Sequence, residues 1–211
     1  MSSVLSRICG HGVVPVVTLD DAAHAPTLGR ALLTGGLPVA EVTFRTHAAE
    51  AAVAALSQEP ELLVGAGTII TADQVDRAAA AGARFIVSPG LSRSVVARAA
   101  AHDLPVIPGA VTATEVQAAL ELGLTALKFF PAASSGGPAV ISALAAPFPQ
   151  VRFMPTGGVS PQNLSDYLTI PCVMAAGGSW MVPQHLVAAQ DEAALSEQAR
   201  RSAALVAQIR G

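Results

Sequence analysis

The sequence predicts an α/β fold: a (β/α)8, or TIM, barrel in one compact domain over residues 1–211, with an extra C-terminal helix. Three observations carry that expectation. Short β-branched or apolar runs recur roughly every 20–26 residues, each followed by an alanine-rich segment of helical period. Glycines (Gly35-Gly36, Gly82, Gly123) close helical segments just before the next run. Eight such units fit in 211 residues with no linker or low-complexity tract between them.

Taken in order, Val13–Thr18 is the first strand, and Ala22–Leu33 the helix that stops at Gly35-Gly36. Val39–Phe44 and Leu62–Gly65 are the second and third strands. The helix Thr71–Ala81 begins Thr71-Ala-Asp-Gln, in which a threonine N-cap has Gln at N3. Phe85–Val87 follows, then a helix over Ser92–Ala101 with Ser92 as cap. After Val106–Ile107, the start Thr112-Ala-Thr-Glu is a second capping-box pattern and opens Thr112–Leu122. Ala126–Phe130, Arg152–Met154 and Val173–Ala175 complete the eight strands, and the amphipathic Glu192–Ile209 is the terminal helix. An open doubly wound sheet also alternates strand and helix. Eight even units exceed its usual count, however, and no GxGxxG follows the first strand.

Hydrophobic residues make up 52% of the chain and charged ones 13%, ample for a large core. Twelve Lys and Arg against fifteen Asp and Glu give a net charge of −3, which provides no electrostatic footprint for nucleic acid or an anionic membrane. No apolar stretch approaches the ~18 residues of a membrane span. The N-terminal residues lack a charged segment followed by a long apolar one. Cys9 and Cys172 stand at no ligand or disulfide-framework spacing. The expectation is a soluble, cytoplasmic protein with a small-molecule partner.

Lys128 is the only lysine, and it sits in the apolar run Ala126-Leu127-Lys128-Phe129-Phe130-Pro131. An ammonium there is costly unless it is paired or gives up its proton. A neutral amine is what Schiff-base chemistry on a ketone requires. The alternative is a structural lysine snorkelling from a strand end. In a barrel the site lies at the C-terminal mouth, so the strand ends matter most. On the second strand, period-2 alternation sets Glu41, Thr43 and Arg45 on one face. If that face points inward, Glu41 is a general base and Arg45 a clamp for a substrate carboxylate; otherwise the pair is a structural ion pair at the rim. Gly157-Gly158 and Gly177-Gly178-Ser179 follow strands seven and eight, where phosphate sites are often made from backbone N–H groups. Neither loop contains Lys or Arg, so such a site depends on amides, the Ser179 hydroxyl and helix dipoles. His47, near Arg45, could approach the mouth; His11, His24, His102 and His185 have no partners at ligand spacing. No HExxH, carboxylate cluster or Cys/His array suggests a metal.

The motifs Glu41-Val-Thr-Phe-Arg-Thr46, Gly65-Ala-Gly-Thr68, Ser88-Pro-Gly90, Pro105-Val-Ile-Pro-Gly109, Leu127-Lys-Phe-Phe-Pro131, Arg152-Phe-Met-Pro-Thr-Gly-Gly158 and Gly177-Gly-Ser-Trp180 appear in this order. Together they closely resemble the 2-keto-3-deoxy-6-phosphogluconate (KDPG) aldolases, class I aldolases of the Entner–Doudoroff pathway, over about Val13 to Pro183. The resemblance implies Lys128 as the Schiff-base lysine and Glu41 as the general acid/base. It further implies that Arg45 and Thr68 hold the pyruvyl carboxylate, and that Pro89 and Phe130 form an apolar wall. Thr156 would read a substrate hydroxyl, and Gly157, Gly158, Gly178 and Ser179 would form the phosphate pocket. It implies no metal or organic cofactor, and a homotrimer. Phe44 stands where a leucine is usual and Met154 at a variable position; neither touches the chemistry. Two rivals stay open: a relative acting on the C4 epimer or on 4-hydroxy-2-oxoglutarate, and a non-catalytic barrel that binds a sugar phosphate.

Overall fold

The computed structural model describes residues 2–211. A helix α1 (Ser3–His11) precedes the barrel, capped by the Ser2 side chain at Leu5 N–H and ended by Gly12 at φ +69°. Then come β1 (Val13–Val17), a 3-10 turn (Ala22–His24), α2 (Ala25–Thr34), β2 (Val39–Thr43), α3 (Ala49–Leu56), β3 (Leu63–Gly67), α4 (Ala72–Ala80), β4 (Phe85–Val87) and α5 (Arg93–Ala101). The second half runs β5 (Val106–Ile107), α6 (Ala113–Glu121), β6 (Ala126–Phe129), α7 (Gly137–Ala145), β7 (Arg152–Pro155), α8 (Leu164–Leu168), β8 (Ala176–Gly178), α9 (Gln184–Ala188) and α10 (Glu192–Arg210).

Every strand pairing is parallel. Six strands form a sheet in the order β5-β4-β3-β2-β1-β8, and β6 pairs with β7. Single bridges join the two sheets: Gly109↔Lys128 beside β5 and β6, and Phe153↔Val173 and Thr156↔Gly177 beside β7 and β8. The ring therefore closes in sequence order, and among the described residues no strand keeps an open edge. Phe129 and Phe153 meet edge to face at 6.2 Å inside the core.

The caps form as expected. Thr71 with Gln74, and Thr112 with Glu115, make complete capping boxes, and Ser92 accepts from Val95 N–H. Burial raises the Glu115 pKa, but hydrogen bonds from the Val111 amide and the Thr112 hydroxyl and amide outweigh it and hold the carboxyl below its usual value. The extra terminal helix is α10. It packs so close to the end of α2 that a Cβ on Gly35 would lie 2.4 Å from the Ala199 Cβ. Arg210 at its end donates to the Cys9 and Met174 carbonyls, tying it to the floor of the barrel.

Several expectations need correction. The eighth strand is Ala176–Gly178, not Val173–Ala175. Val173, Met174 and Ala175 are buried, but hydrophobicity marks burial and not the ladder, which runs through Gly177 and Gly178. For the same reason β3 continues past Gly65 to Gly67. Strand β2 stops at Thr43, so Arg45 lies in a turn. Ala22–Leu33 is broken into the 3-10 turn and α2, because Pro26 has no N–H to donate and fits only the first turn of a helix. Helices α1, α3, α7, α8 and α9 lie outside those read from the sequence.

Candidate active site

Glu41 on β2 and Lys128 on β6 face each other across the ring, with Nζ 3.1 Å from Oε1. Glu41 is 0% exposed and Lys128 5%. The ladder to the segment just after β5 fixes the place of Lys128: its N–H donates to the Pro108 carbonyl, and its own carbonyl accepts from Ala110 N–H. Room for the carboxylate comes from β3, where a Cβ on Gly67 would lie 2.2 Å from Glu41 Oε1. Two positions earlier, Gly65 leaves room for the Phe85 ring. The Phe130 ring stands over the amine, its centroid 5.2 Å from Nζ. Glu41 Oε2 is buried and has no partner among the described residues. A buried acceptor left open beside a primary amine is free to take a proton or a water.

Arg45 reaches back over the strand ends. Its Nε donates to Thr43 Oγ1 (3.2 Å) and its Nη2 to Thr18 Oγ1 (2.6 Å). With Val16, Thr156, Gly157, Gly158, Val159, Gly178 and Ser179 it lines a cavity of about 170 Å³. This modifies the expectation for an anion site: the glycine loops bring no cation, but Arg45 does so from across the mouth. The helices after these loops, α8 and α9, have five residues each and begin well beyond them, so helix dipoles add nothing. What the loops offer is backbone. Gly157 and Gly158 have φ of +94° and +80°, which favours glycine, and a Cβ on Gly158 would sit 2.4 Å from the Ala133 Cβ. Among the described residues nothing accepts from the Gly158 or Ser179 amide. Asn163 holds the loop, accepting from Ser160 N–H and donating to the Gly158 carbonyl.

Thr156 bridges to Gly177, and its hydroxyl is buried without a partner. A Cβ on Gly177 would lie 2.4 Å from that oxygen. Thr68 follows β3 at φ +59°, a strained conformation for a β-branched residue. Pro89 lines a neighbouring apolar groove of about 260 Å³ with Ile69, Ile70 and Leu91. The Ser88 hydroxyl donates to the Gly90 carbonyl, bracing that turn. His47 does not approach the mouth; it lines an outer groove between α3 and α4 with Glu50, Ala51 and Ala80. Sequence reading missed Thr18 and Asn163. The signal for Thr18 was its place as the first polar residue after the apolar run of β1. Among the described residues no three His, Cys, Asp or Glu side chains cluster as metal ligands would, and no helix is long and apolar enough to cross a membrane.

A lone buried amine against a carboxylate at the mouth of a parallel barrel is the arrangement that a carbon–carbon lyase of the class I, Schiff-base type requires. Comparison with known proteins narrows this. The family model described as KDPG and KHG aldolase matches residues 4–198, and the chain belongs to that family. A 2-dehydro-3-deoxy-phosphogluconate aldolase of Treponema pallidum is 52% identical over 180 residues, 85% of this chain and 86% of the relative. The KHG/KDPG aldolase of Escherichia coli K12 is 42% identical over 191 residues, 90% of each chain. The KDPG aldolase of Legionella pneumophila, solved with pyruvate captured as a covalent carbinolamine, superposes with a TM-score of 0.91 at 37% identity, covering 95% of this chain and 98% of that one.

Proposed function

We propose that this chain reversibly cleaves 2-dehydro-3-deoxy-6-phosphogluconate to pyruvate and D-glyceraldehyde 3-phosphate. The observation that carries this is the buried 3.1 Å Lys128–Glu41 contact with the second carboxylate oxygen left open. The Lys128 amine adds to the C2 ketone, and Glu41 at hydrogen-bond distance moves the protons that carbinolamine formation and loss of water require. The resulting iminium is the electron sink. Glu41, directly or through a water, takes the C4 hydroxyl proton, and the C3–C4 bond breaks. Its electrons form the enamine, and glyceraldehyde 3-phosphate leaves. Glu41 returns the proton to C3, and hydrolysis of the imine releases pyruvate and the free amine.

Arg45 and Thr68 hold the carboxylate in this reading; Arg45 offers a fork of N–H donors, and the strain at Thr68 is of a kind that collects at functional sites. Thr156 reads the C4 hydroxyl, a role that suits its unpartnered buried oxygen. The amides of Gly158 and Ser179 and the Ser179 hydroxyl take the phosphate, with Gly157 and Gly178 shaping the turns around it, and Phe130 and Pro89 form the apolar wall. One folding unit over residues 1–211, a cytoplasmic location and a homotrimer belong to the same reading. Ile70, 58% exposed beside the Pro89 groove, suits an apolar contact between copies.

A second reading, preference for the unphosphorylated 4-hydroxy-2-oxoglutarate, draws support from the double description of the family model. Comparing kcat/KM for the two substrates and the C4 epimer ranks them. The highest value is expected for the phosphogluconate, and no activity in Lys128→Ala. Equal values for the unphosphorylated compound would remove the phosphate role from the glycine loops.

A further inference from the structure

We propose that Thr18 is the positioning residue that aims Arg45 at the substrate carboxylate, an inference that rests on the aldolase reading and on Arg45 as the clamp. Strand pairing brings the two strand ends together. The last β1–β2 pair is Val17↔Val42, and the next residues along the two chains are Thr18 and Thr43. Their hydroxyls lie 3.0 Å apart, so one donates to the other, and each also accepts from Arg45.

The consequence follows from the shape of the guanidinium. It has five N–H donors in a plane, and its Nε and Nη2 share one edge. Thr43 and Thr18 occupy that edge. The end edge, Nη1 with the second Nη2 hydrogen, is left for a carboxylate to engage with two parallel bonds. Arg45 is exposed and follows the end of β2, so without a fixed edge its long side chain would sample many rotamers. Thr43 lies two residues earlier, at the end of β2, and cannot by itself set Arg45 relative to the rest of the mouth. Thr18 belongs to β1, and its 2.6 Å contact does. The backbone of the turn is held separately by Thr46, whose hydroxyl donates to the Leu19 carbonyl at 2.5 Å. Removing the Thr18 hydroxyl therefore tests the side-chain contact alone.

Thr18→Val keeps the shape and loses the acceptor. The measurement is the rate of borohydride inactivation against pyruvate concentration, run beside hydroxyacetone, a ketone without a carboxylate. Half-saturating pyruvate is expected to rise about tenfold, the scale of one charge-assisted hydrogen bond. The limiting rate should change far less, hydroxyacetone should be unaffected, and Thr18→Ser should recover most of the loss. Arg45→Met, run in parallel, is expected to lose more than Thr18→Val. If Arg45→Met weakens pyruvate binding and Thr18→Val does not, the positioning role is wrong and the clamp stands. If neither does, the clamp fails and takes Thr18 with it. If Thr18→Val weakens both ketones equally, the threonine serves general packing and the proposal is overturned.

Discussion

Between β2 and β6 the mouth is buried and braced. An amine and a carboxylate are buried against each other, and two ladder hydrogen bonds to Pro108 and Ala110 hold the lysine in place. Between β7 and β8, and across to Arg45, it is open and made largely of backbone, with two positive-φ glycines and unpaired amides facing a cavity of about 170 Å³. Bond-breaking needs a group whose charge is unwelcome and whose position is fixed, and burial supplies both. Recognition of a phosphate, the role proposed for these loops, needs many donors and little desolvation, and turns supply those. The cost of the first arrangement is stability and that of the second is side-chain specificity, so the two regions should respond to mutation in opposite ways.

The sharpest way to break that contrast is at Glu41. Glu41→Gln should lower kcat by about 10²–10⁴-fold, the range for a lost general acid/base, while pyruvate still forms a trappable imine. Near-normal turnover in a steady-state assay would remove Glu41 from proton transfer. The next effect is on folding. Lys128→Met strands a buried carboxylate and should cost about 3–5 kcal/mol in urea unfolding, whereas Glu41→Leu with Lys128→Met should recover most of it. A double variant no more stable than the single one would mean the pair is not an energetic unit.

On the open side Thr156→Val should behave in reverse. Losing the hydroxyl should lower kcat/KM for the phosphogluconate by about 10- to 100-fold and narrow discrimination against the C4 epimer. Because that hydroxyl has no partner among the described residues, Tm should stay level or rise. A clear fall in Tm with unchanged kinetics would make Thr156 a packing residue.

Much of this was legible in the sequence because it is local. Capping boxes at Thr71 and Thr112 need only four residues to declare themselves. Lys128 stands out as a single cation in an apolar run, and Glu41 follows from period-2 alternation on β2. The shift of β8 was not legible, since glycines carry no hydrophobic signal even where, as at Gly177, the ladder requires them. Arg45 joining the glycine loops, Thr18 holding Arg45 and the open Glu41 oxygen were equally hidden. Each is a relation between strands far apart in the chain, and only closure of the ring creates it. His47 is the opposite case: nearness in sequence to Arg45 left the mouth open to it, and the turn sends it to the outer groove.

The smallest effect lies away from both regions and serves as their control. Hydrogen bonds hold Glu115 below its ordinary value of 4.5, so its contribution to stability is present above that pH and is lost as pH falls through the depressed value. Glu115→Gln keeps a capping box like that of Thr71 with Gln74 and removes the titration. Its Tm should fall less steeply than wild type below pH 4.5, with kinetics unchanged. Parallel Tm curves for the two proteins would show that this carboxylate is not a source of acid sensitivity.

The central claim, that Lys128 is the nucleophile, is most directly tested by intact mass and peptide mapping after incubation with pyruvate and borohydride. With one lysine in the chain, the N-terminus is the only competing amine. A single reduced adduct on Lys128 is the predicted result. Folded protein of unchanged mass, or an adduct confined to the N-terminus, would contradict the Schiff-base mechanism and leave the chain a sugar-phosphate binder.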